Sequence, residues 1–397
     1  MLTDRIGRIT SSATLAMTAK AAELRTAGVD VINLSVGEPD FPTPENIRLA
    51  GKQAIDDGQT RYTPGGGTID LKKAVVEKLA RDNDLHFEPS EILISCGGKH
   101  SLYNACQVLF QTGDEVIIFS PYWVSFPDFI SVTGAKPVFV KTDSSKQFEP
   151  LIDELKSKIS SRTKGIIINS PSNPTGGVWS DNAVSKVLEL AEEANAWVFS
   201  DECYEQLTYD KPYISTAKLG ENTKKVLTFQ SCSKTYAMTG WRIGYTAGNG
   251  HIIKAMGKLQ GQSTSCPNSI AQAAAIEALI GNQSEVSRMR NIFKLRRDYI
   301  VNRLNTMNGV HCDTPGGAFY VFPDFSSYMG NDGQIKSSND LSMFLLEQKA
   351  VVTVAGKAFG SDNNVRFSYA ASDDDLKRAM DLLEESLKEL IVKKGKD

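Results

Sequence analysis

The sequence has few of the patterns that mark metal-binding, secreted or membrane proteins. Its six cysteines and four histidines are scattered through 397 residues, without a CxxC pair or an HExxH motif. This spacing argues against a zinc site and against a disulfide framework. There is no run of about 18 apolar residues, and the N-terminal stretch has no continuous apolar segment. We therefore expect a reduced cytoplasmic protein without a metal ion.

Neither sign of charge dominates, because 44 Lys and Arg residues are set against 47 Asp and Glu residues, a formal net charge of -3. Bulk electrostatics therefore predict neither a nucleic-acid partner nor a membrane partner, and small molecules are the expected ligands. The length exceeds that of a usual single domain, which favours one large domain and one smaller domain.

Acidic residues are missing from one long segment. Between Asn222 and Ile276 there is no Asp or Glu, and this segment contains Lys234 and Arg242. Such a segment suits a bound phosphate, because a neighbouring carboxylate would cancel the attraction. A solvated basic face is the alternative interpretation. Apolar and polar residues alternate over 241–245, which predicts a half-buried strand.

The middle of the chain alternates short apolar runs with amphipathic helical stretches. The predicted strands are "EILIS", "DEVIIFS", "KPVFV", "KGIIIN", "AWVFS" and "KKVLTF". This alternation predicts an α/β layer with a mostly parallel sheet. Ligands bind such sheets at the carboxyl ends of the strands. The turns "SCGGKH", "NSPSNPTGG", "SDECYE" and "SCSKT" therefore predict one composite site.

The last third of the chain predicts a second, smaller α+β domain. Long helical stretches follow about residue 268, and then "GGAFYVFP", "AVVTVAG" and "NVRFSYA" predict strands. The run "DDLKRAMDLLEESLKELI" predicts a closing amphipathic helix. We assign residues 46–295 to the large domain, and residues 1–45 and 296–397 to the small domain with an N-terminal arm.

Three of these turns carry candidate ligand-binding residues. Gly97 and Gly98 follow a strand and lead into a helix that begins near Lys99, whose backbone N–H groups would attract a phosphate, although such turns also serve packing. Asn173 either holds a ligand oxygen or caps a turn. Asp201 ends a strand three residues before Tyr204. A buried acid there needs a cationic partner, and helix capping is the alternative.

Nine motifs in order along the chain carry a family resemblance. They are "LSVGEPDFPTP", "YTPGGG", "GGKHSLYNA", "SPYWVSFPDF", "NSPSNPTGGV", "SDECYEQL", "SCSKTYAMTGWRIGY", "GGAFY" and "VRFSYA". Together they resemble the class I/II aminotransferases, fold-type I enzymes that use pyridoxal 5'-phosphate (PLP), and within them the bacterial aspartate aminotransferase subgroup. The resemblance implies an α/β fold whose large domain has a mostly parallel mixed sheet, with a smaller α+β domain.

The resemblance implies roles for residues around the cofactor ring. Lys234 resembles the lysine that forms a Schiff base with PLP and, once freed by substrate, moves the proton between the substrate Cα and cofactor C4'. Asp201 resembles the partner of the pyridine nitrogen. Tyr204 and Asn173 would hydrogen-bond the phenolic oxygen, and Trp123 would stack on the ring. Trp123 and Asn173 are also expected beside the substrate.

The resemblance also implies a phosphate site and a dimer. The positions similar to phosphate-binding ones are the backbone at Gly98 and Lys99, the Ser231 hydroxyl and Arg242. Tyr62 resembles a tyrosine that reaches the phosphate of the neighbouring subunit. A homodimer with shared active sites is therefore expected.

Substrate recognition follows from the same resemblance. Arg366 resembles the arginine that binds the substrate α-carboxylate, with a backbone contact from Gly37, and substrate binding should favour domain closure. Lys99 is expected at the distal carboxylate of a dicarboxylic substrate, with Ser12 and Thr14 as possible helpers; a solvated lysine is the alternative.

Two positions depart from the subgroup pattern. His100 replaces a more usual glutamine, and Ser233 replaces a more usual alanine. Either residue could tune protonation near the cofactor, but we interpret both as neutral variation.

The resulting functional hypothesis is an aspartate aminotransferase that passes the amino group of L-aspartate to 2-oxoglutarate. Transamination of prephenate, of alanine, of an aromatic amino acid or of kynurenine, or a lyase reaction, would use the same residues. A non-catalytic regulatory protein of this fold is a remote alternative, because the family motifs begin by about residue 33 and leave little space for a DNA-binding module.

Overall fold

The computed structural model describes residues 2–10, 13–220, 223–330 and 335–390, without the side chains of residues 13–16 and 18. The strands are β1 Ile32–Asn33, β2 Ile92–Ser95, β3 Glu115–Ser120, β4 Lys136–Asp143, β5 Glu149–Pro150, β6 Thr163–Asn169, β7 Trp197–Asp201, β8 Val226–Ser231, β9 Gly244–Ala247, β10 Tyr320–Val321, β11 Val351–Val352, β12 Val354–Ala355 and β13 Val365–Ser368. The helices are α1 Ala13–Thr26, α2 Glu45–Asp56, α3 Ile69–Asn83, α4 Gly98–Leu109, α5 Phe126–Ser131, α6 Ile152–Lys158, α7 Asp181–Glu193, α8 Thr216–Leu219, α9 Cys232–Thr235, α10 Gly250–Ser263, α11 Ser269–Ile280, α12 Ser284–Thr306, α13 Ser338–Lys349 and α14 Asp373–Glu389.

An eight-stranded mixed sheet forms the centre of the larger part of the molecule. Its strand order is β2-β9-β8-β7-β6-β3-β4-β5. The run from β8 to β4 is parallel, whereas β9 and β5 are antiparallel to their neighbours. Helices cover the sheet, so its inner strands are buried on both faces. The sequences of these strands are therefore continuous apolar runs. All six predicted strands lie in this sheet, and the predicted α/β class is confirmed.

The strand predicted over 241–245 is wrong in its first half. Residues Thr239–Trp241 form a 3-10 turn, and Arg242 takes a left-handed conformation with φ of 58°. The extended strand begins only at Gly244. Alternating polarity reports burial of alternate residues, and an irregular turn with one left-handed residue produces the same alternation.

A second hydrophobic core lies around a small antiparallel sheet of order β10-β13-β12. Residues from α12, α13 and α14 fill it, and β1 joins it by pairing with β11 in parallel. The strands here are shorter than the predicted motifs. The closing helix α14 is confirmed, because the Ser372 hydroxyl accepts from the N–H of Asp375 at its start and its leucines are buried. The predicted domain boundaries stay a prediction.

The segment of residues 35–44 crosses between the two cores. On one side the Arg296 guanidinium donates from Nη1 to Oδ1 of Asp40 at 2.8 Å. On the other side the Thr43 hydroxyl donates to the carbonyl of Ala237 at 2.6 Å, close to the cavity described below. None of the helices in the described ranges is long and apolar enough to cross a membrane.

Candidate active site

A cavity of about 290 Å³ lies where the central strands β6, β7 and β8 end, as the sheet type predicts. Eleven of the fourteen predicted site residues line it. These residues are Gly37, Gly98, Lys99, Trp123, Asn173, Asp201, Tyr204, Ser231, Lys234, Arg242 and Arg366. They come from positions 37 to 366 of the chain, so the fold gathers residues that the sequence keeps far apart.

One predicted site residue lies away from this cavity, and two cannot be placed because their side chains are outside the described part of the chain. The Tyr62 side chain is 89% exposed in the single chain, and it does not line the cavity. Ser12 lies outside the described residues. Thr14 lies in α1, but its side chain is outside the described ones. The roles of these three residues stay predictions.

One end of the cavity is built to attract an anion. Helix α4 begins at Gly98, preceded by Gly97 with φ of 92°. A Cβ atom at Gly97 would lie 2.4 Å from Nη2 of Arg242, so the guanidinium lies against the start of this helix. The Ser231 hydroxyl is next to Gly98, where an added Cβ would be 3.3 Å from Ser231 Cβ. Free backbone N–H groups, a guanidinium and a hydroxyl are the donors that phosphate prefers.

Asp201 is a buried acid at the end of β7. Burial raises the pKa of this carboxyl to about 6, while the backbone N–H of Cys203 and the charge of Lys234 act in the opposite direction. The N–H of Cys203 donates to Oδ1 at 3.3 Å. In the part of the chain that the structure describes, Asp201 forms no ion pair. The site therefore offers a buried carboxylate for a cationic N–H group.

Lys234 follows β8 in the short helix α9, and its Nζ donates to the carbonyl of Gly37. Burial lowers the pKa of the amine, and the positive charges of Arg366 and Arg242 lower it further, whereas Glu38 raises it. A lysine amine moved toward its neutral form is a better nucleophile and proton acceptor. The absence of Asp and Glu from residues 222–276 is consistent with this environment.

Arg366 is buried in β13 and is already oriented. Its Nη1 donates to Oδ1 of Asn173 at 2.8 Å, and its Nη2 donates to the carbonyl of Ser35 at 2.6 Å. Its Nε has no hydrogen-bond partner among the described residues. The guanidinium lies over the rings of Tyr320 and Phe359, with Cζ 4.6 and 5.0 Å from their centroids. A buried guanidinium that still has unused N–H donors, the Nε–H among them, suits a carboxylate ligand.

Lys99 is a second cation on the cavity wall. Its Nζ lies 5.0 Å from the ring centroid of Trp123, a cation–π distance. Burial lowers the pKa of the amine, and the nearby Arg242 charge adds to that effect. Lys99 makes no ion pair within the described ranges. Trp123 is held edge-on by Phe126 and Phe129, with centroids 5.3 and 5.8 Å away.

Several lining residues were missed by the sequence analysis. Asn169 ends β6 in register with Asp201, donates to its carbonyl at 3.2 Å, and accepts from the N–H of Asn173 at 2.9 Å. The polar end of "KGIIIN" was a signal for it, because it ends a buried parallel strand. Tyr320 lies in the quoted motif "GGAFY", and its Oη is 2.8 Å from Tyr204 Oη. No local pattern predicts that contact.

The two residues that depart from the subgroup pattern, Ser233 and His100, differ in their position relative to the cavity. Ser233 lines the cavity, and its hydroxyl is 2.9 Å from that of Ser231. His100 is not among the lining residues; its Nδ1 accepts from the N–H of Cys96 at 3.4 Å, and burial lowers the pKa of the imidazole.

A buried polar network lies behind the cavity wall. Lys78 donates to Oε1 of Glu205 at 2.6 Å and to Oε1 of Gln230 at 2.9 Å. Gln230 in turn donates to Glu202 at 3.3 Å and accepts from the Tyr245 hydroxyl at 2.7 Å. Burial raises the pKa of Glu202 to about 7. Because Gln230 also lines the cavity, this network supports the cavity wall.

Comparisons with known proteins agree with the motifs. A family model described as "Aminotransferase class I and II" matches residues 29–383. An aspartate/prephenate aminotransferase of Cereibacter sphaeroides is 44% identical, covering 95% of this chain and 96% of the relative. An aspartate aminotransferase of Bacillus subtilis is 43% identical, covering 98% of both chains.

Solved structures agree as well. The aspartate aminotransferase from Rhizobium meliloti superposes with a TM-score of 0.94 at 40% identity, covering 98% of this chain and 100% of the other. The Thermus thermophilus aspartate aminotransferase with maleate gives a TM-score of 0.93 at 37% identity, covering 97% and 99%. The family resemblance and the fold-type expectation are confirmed.

Proposed function

Because the chain belongs to the class I and II aminotransferases, we propose that it is an aspartate aminotransferase, which moves the amino group of L-aspartate reversibly to 2-oxoglutarate. The products are oxaloacetate and L-glutamate. One observation carries this choice of substrate: two cations, the buried Arg366 and the more exposed Lys99, line the same cavity as Lys234. Aspartate and 2-oxoglutarate each carry two carboxylates, and each carboxylate needs a cationic partner when it leaves water.

Prephenate is a second candidate substrate. It also carries two carboxylates, so Lys99 and Arg366 serve it equally well. The Cereibacter sphaeroides relative is named an aspartate/prephenate aminotransferase, which supports this candidate.

The cavity fits PLP on two independent observations. Asp201 is a buried carboxylate without an ion pair in the described chain, which suits a protonated pyridine nitrogen. The start of α4 with Arg242 and Ser231 forms an anion site. When bound, PLP supplies an aldehyde that accepts the amino group and a ring that withdraws electrons. The residues that would hold it are Gly98, Lys99, Trp123, Asn173, Asp201, Tyr204, Ser231, Lys234 and Arg242.

Lys234 is proposed as the residue that carries the proton during the reaction. Burial lowers the pKa of its amine, so the amine can take a proton from the substrate Cα and return it to another atom. Gly37 accepts a hydrogen bond from the same amine, which keeps the amine in the cavity.

Arg366 and Lys99 are proposed to orient the substrate. Arg366 would bind the α-carboxylate, because Asn173 and Ser35 already fix two of its nitrogens and its Nε remains available. Lys99 would bind the distal carboxylate. Two charge-assisted contacts at separate points determine which face and which end of the substrate meet Lys234.

We extend the proposal to assembly and location. Residues 46–295 would form the large domain, and residues 1–45 and 296–397 the small domain, which would close over the bound substrate and expel water. A homodimer would give the exposed Tyr62 a role at the partner's phosphate site. The six cysteines form no disulfide, which is compatible with the cytoplasm.

The experiment is a titration of the PLP-loaded protein with L-aspartate, followed by visible absorbance, with L-alanine as the matched amino donor. Conversion of the cofactor band to the pyridoxamine form by aspartate at much lower concentration than by alanine supports the proposal. A band that aspartate leaves unchanged refutes aspartate as donor while leaving the cofactor assignment intact. A Lys234→Ala variant should lose both the lysine-linked band and steady-state turnover.

A further inference from the structure

We propose that Tyr320 is a positioning residue that sets the direction of the Tyr204 hydroxyl and the plane of the Arg366 guanidinium. This inference rests on the proposed function, because it concerns how the cavity presents donors to PLP and to a carboxylate substrate. Tyr320 ends the motif "GGAFY", is fully buried, and lines the cavity.

The hydroxyls of Tyr204 and Tyr320 share one hydrogen bond, which uses the hydrogen of only one of them. Oη of Tyr320 lies 2.8 Å from Oη of Tyr204, so one of the two hydroxyls donates and the other accepts. Each tyrosine hydroxyl has one hydrogen. If Tyr204 donated to Tyr320, it would have no hydrogen left for a ligand. If Tyr320 donates, the Tyr204 hydrogen is free for an acceptor in the cavity.

A charged acceptor selects the second arrangement. A hydrogen bond to an ionised oxygen is about twice as strong as one between neutral groups, so with an ionised cofactor oxygen as acceptor Tyr204 would donate to that oxygen and Tyr320 would donate to Tyr204. The two bonds then form a chain, in which the first bond polarises the second and strengthens it. Tyr320 would thereby make Tyr204 a better donor to that oxygen.

Arg366 is the second side chain that Tyr320 contacts. Its Cζ lies 4.6 Å from the ring centroid of Tyr320 and 5.0 Å from that of Phe359. Contact with two aromatic rings restricts the plane of the guanidinium, and bidentate binding of a carboxylate depends on that plane. Gly37 leaves space for the arrangement, because a Cβ atom there would lie 2.6 Å from the Tyr320 hydroxyl oxygen.

The hydroxyl and the ring can be separated by two variants of the PLP-loaded enzyme. Tyr320→Phe removes the hydroxyl and keeps the ring over Arg366. Tyr320→Leu removes both. For the hydroxyl, the readout is the pH midpoint at which the visible cofactor band changes. For the ring, the readout is the KM for aspartate.

We expect Tyr320→Phe to raise the pH midpoint by roughly half a unit, a threefold change in a proton equilibrium, with little change in KM. In a Tyr204→Phe background the same substitution should produce no further shift, because the chain is already broken. Tyr320→Leu should in addition raise the KM for aspartate at least threefold. Tyr369→Phe is the control, since it removes a buried hydroxyl in the same core that does not line the cavity.

The outcomes are distinct. An unshifted midpoint in Tyr320→Phe, or an equal shift in both Tyr204 backgrounds, overturns the hydroxyl role. An equal KM for Tyr320→Phe and Tyr320→Leu overturns the ring role. A wild-type protein that gives no cofactor band at all instead overturns the proposed function, so the two failures are distinguishable.

Discussion

Replacing Glu202 with glutamine should change how the stability of the protein depends on pH. Glu202 accepts hydrogen bonds from the hydroxyls of Ser200 and Ser215, at 2.8 Å each, and from the N–H of Thr216 at 3.1 Å. It is completely buried, and burial raises the pKa of its carboxyl from 4.5 to about 7. The Glu202→Gln variant carries a neutral amide of the same shape.

The magnitude follows from the pKa difference between the folded and unfolded chains. Between pH 4.5 and pH 7 the folded protein keeps the Glu202 proton and the unfolded chain loses it, so the free energy of unfolding falls as pH rises. At about 1.36 kcal/mol per pKa unit, the loss across this window is about 3 kcal/mol. Below and above the window this group contributes no slope. The glutamine variant lacks the titration, so its stability relative to wild type should rise by about 3 kcal/mol from pH 4.5 to pH 8.

The assay is urea unfolding of the PLP-loaded proteins at equal concentration, at pH values from 4.5 to 8. The useful quantity is the difference between variant and wild type, because the other titrating groups contribute equally to both. Glu193→Gln is the control, since it removes an exposed carboxylate from α7 and leaves the network intact. Parallel stability curves for wild type and Glu202→Gln would refute the idea that Glu202 is protonated in the folded protein.

Three other experiments test the site. Lys99→Ala should lower kcat/KM for aspartate about 10- to 100-fold and leave alanine nearly unchanged, and equal losses for both donors would contradict the distal-carboxylate role. Gly97→Ala places a Cβ 2.4 Å from Arg242 Nη2 at a backbone φ of 92°. The PLP affinity of this variant, measured by equilibrium dialysis, should therefore fall about tenfold or more. An affinity equal to that of the wild type would show that the anion site does not need the close approach of Arg242 to Gly97. Mixed dimers of Tyr62→Phe and Arg366→Ala should recover part of the activity that each pure dimer lacks, whereas inactive confirmed heterodimers would count against shared sites.

The central sheet was predictable because its strands are buried on both faces. Burial on both faces produces continuous apolar runs, which remain visible without knowledge of the fold. The strand-end position of Asp201 was predictable for the same reason, since a polar residue directly after such a run must lie at the edge of the sheet. The roles given to Lys234 and Arg366 came from the family resemblance.

Other features were not predictable, because they depend on contacts between distant parts of the chain. The Tyr204 and Tyr320 hydroxyls meet across 116 residues, and the bond from Lys234 to Gly37 spans 197 residues. Periodicity describes which residues are buried, and it contains no information about which buried residues meet. The left-handed backbone conformation of Arg242 could not be predicted for a different reason. It is set by the turn around this residue and has no sequence signal of its own.

Within the crossing segment of residues 35–44, a short stretch of backbone connects Lys234 in α9 to Arg296 in α12. Its Gly37 carbonyl is tied to the Lys234 amine, and three residues later Asp40 is tied to Arg296 in α12. Three residues of chain span about 10 Å at full extension, so this linkage has little slack. A shift of α12 away from the sheet would have to be taken up by the Lys234 or Arg296 side chain, or it would move the carbonyl or break one of the two hydrogen bonds. The long helix α12 of the second core and the Lys234 amine are thus joined through three residues of backbone and two side chains.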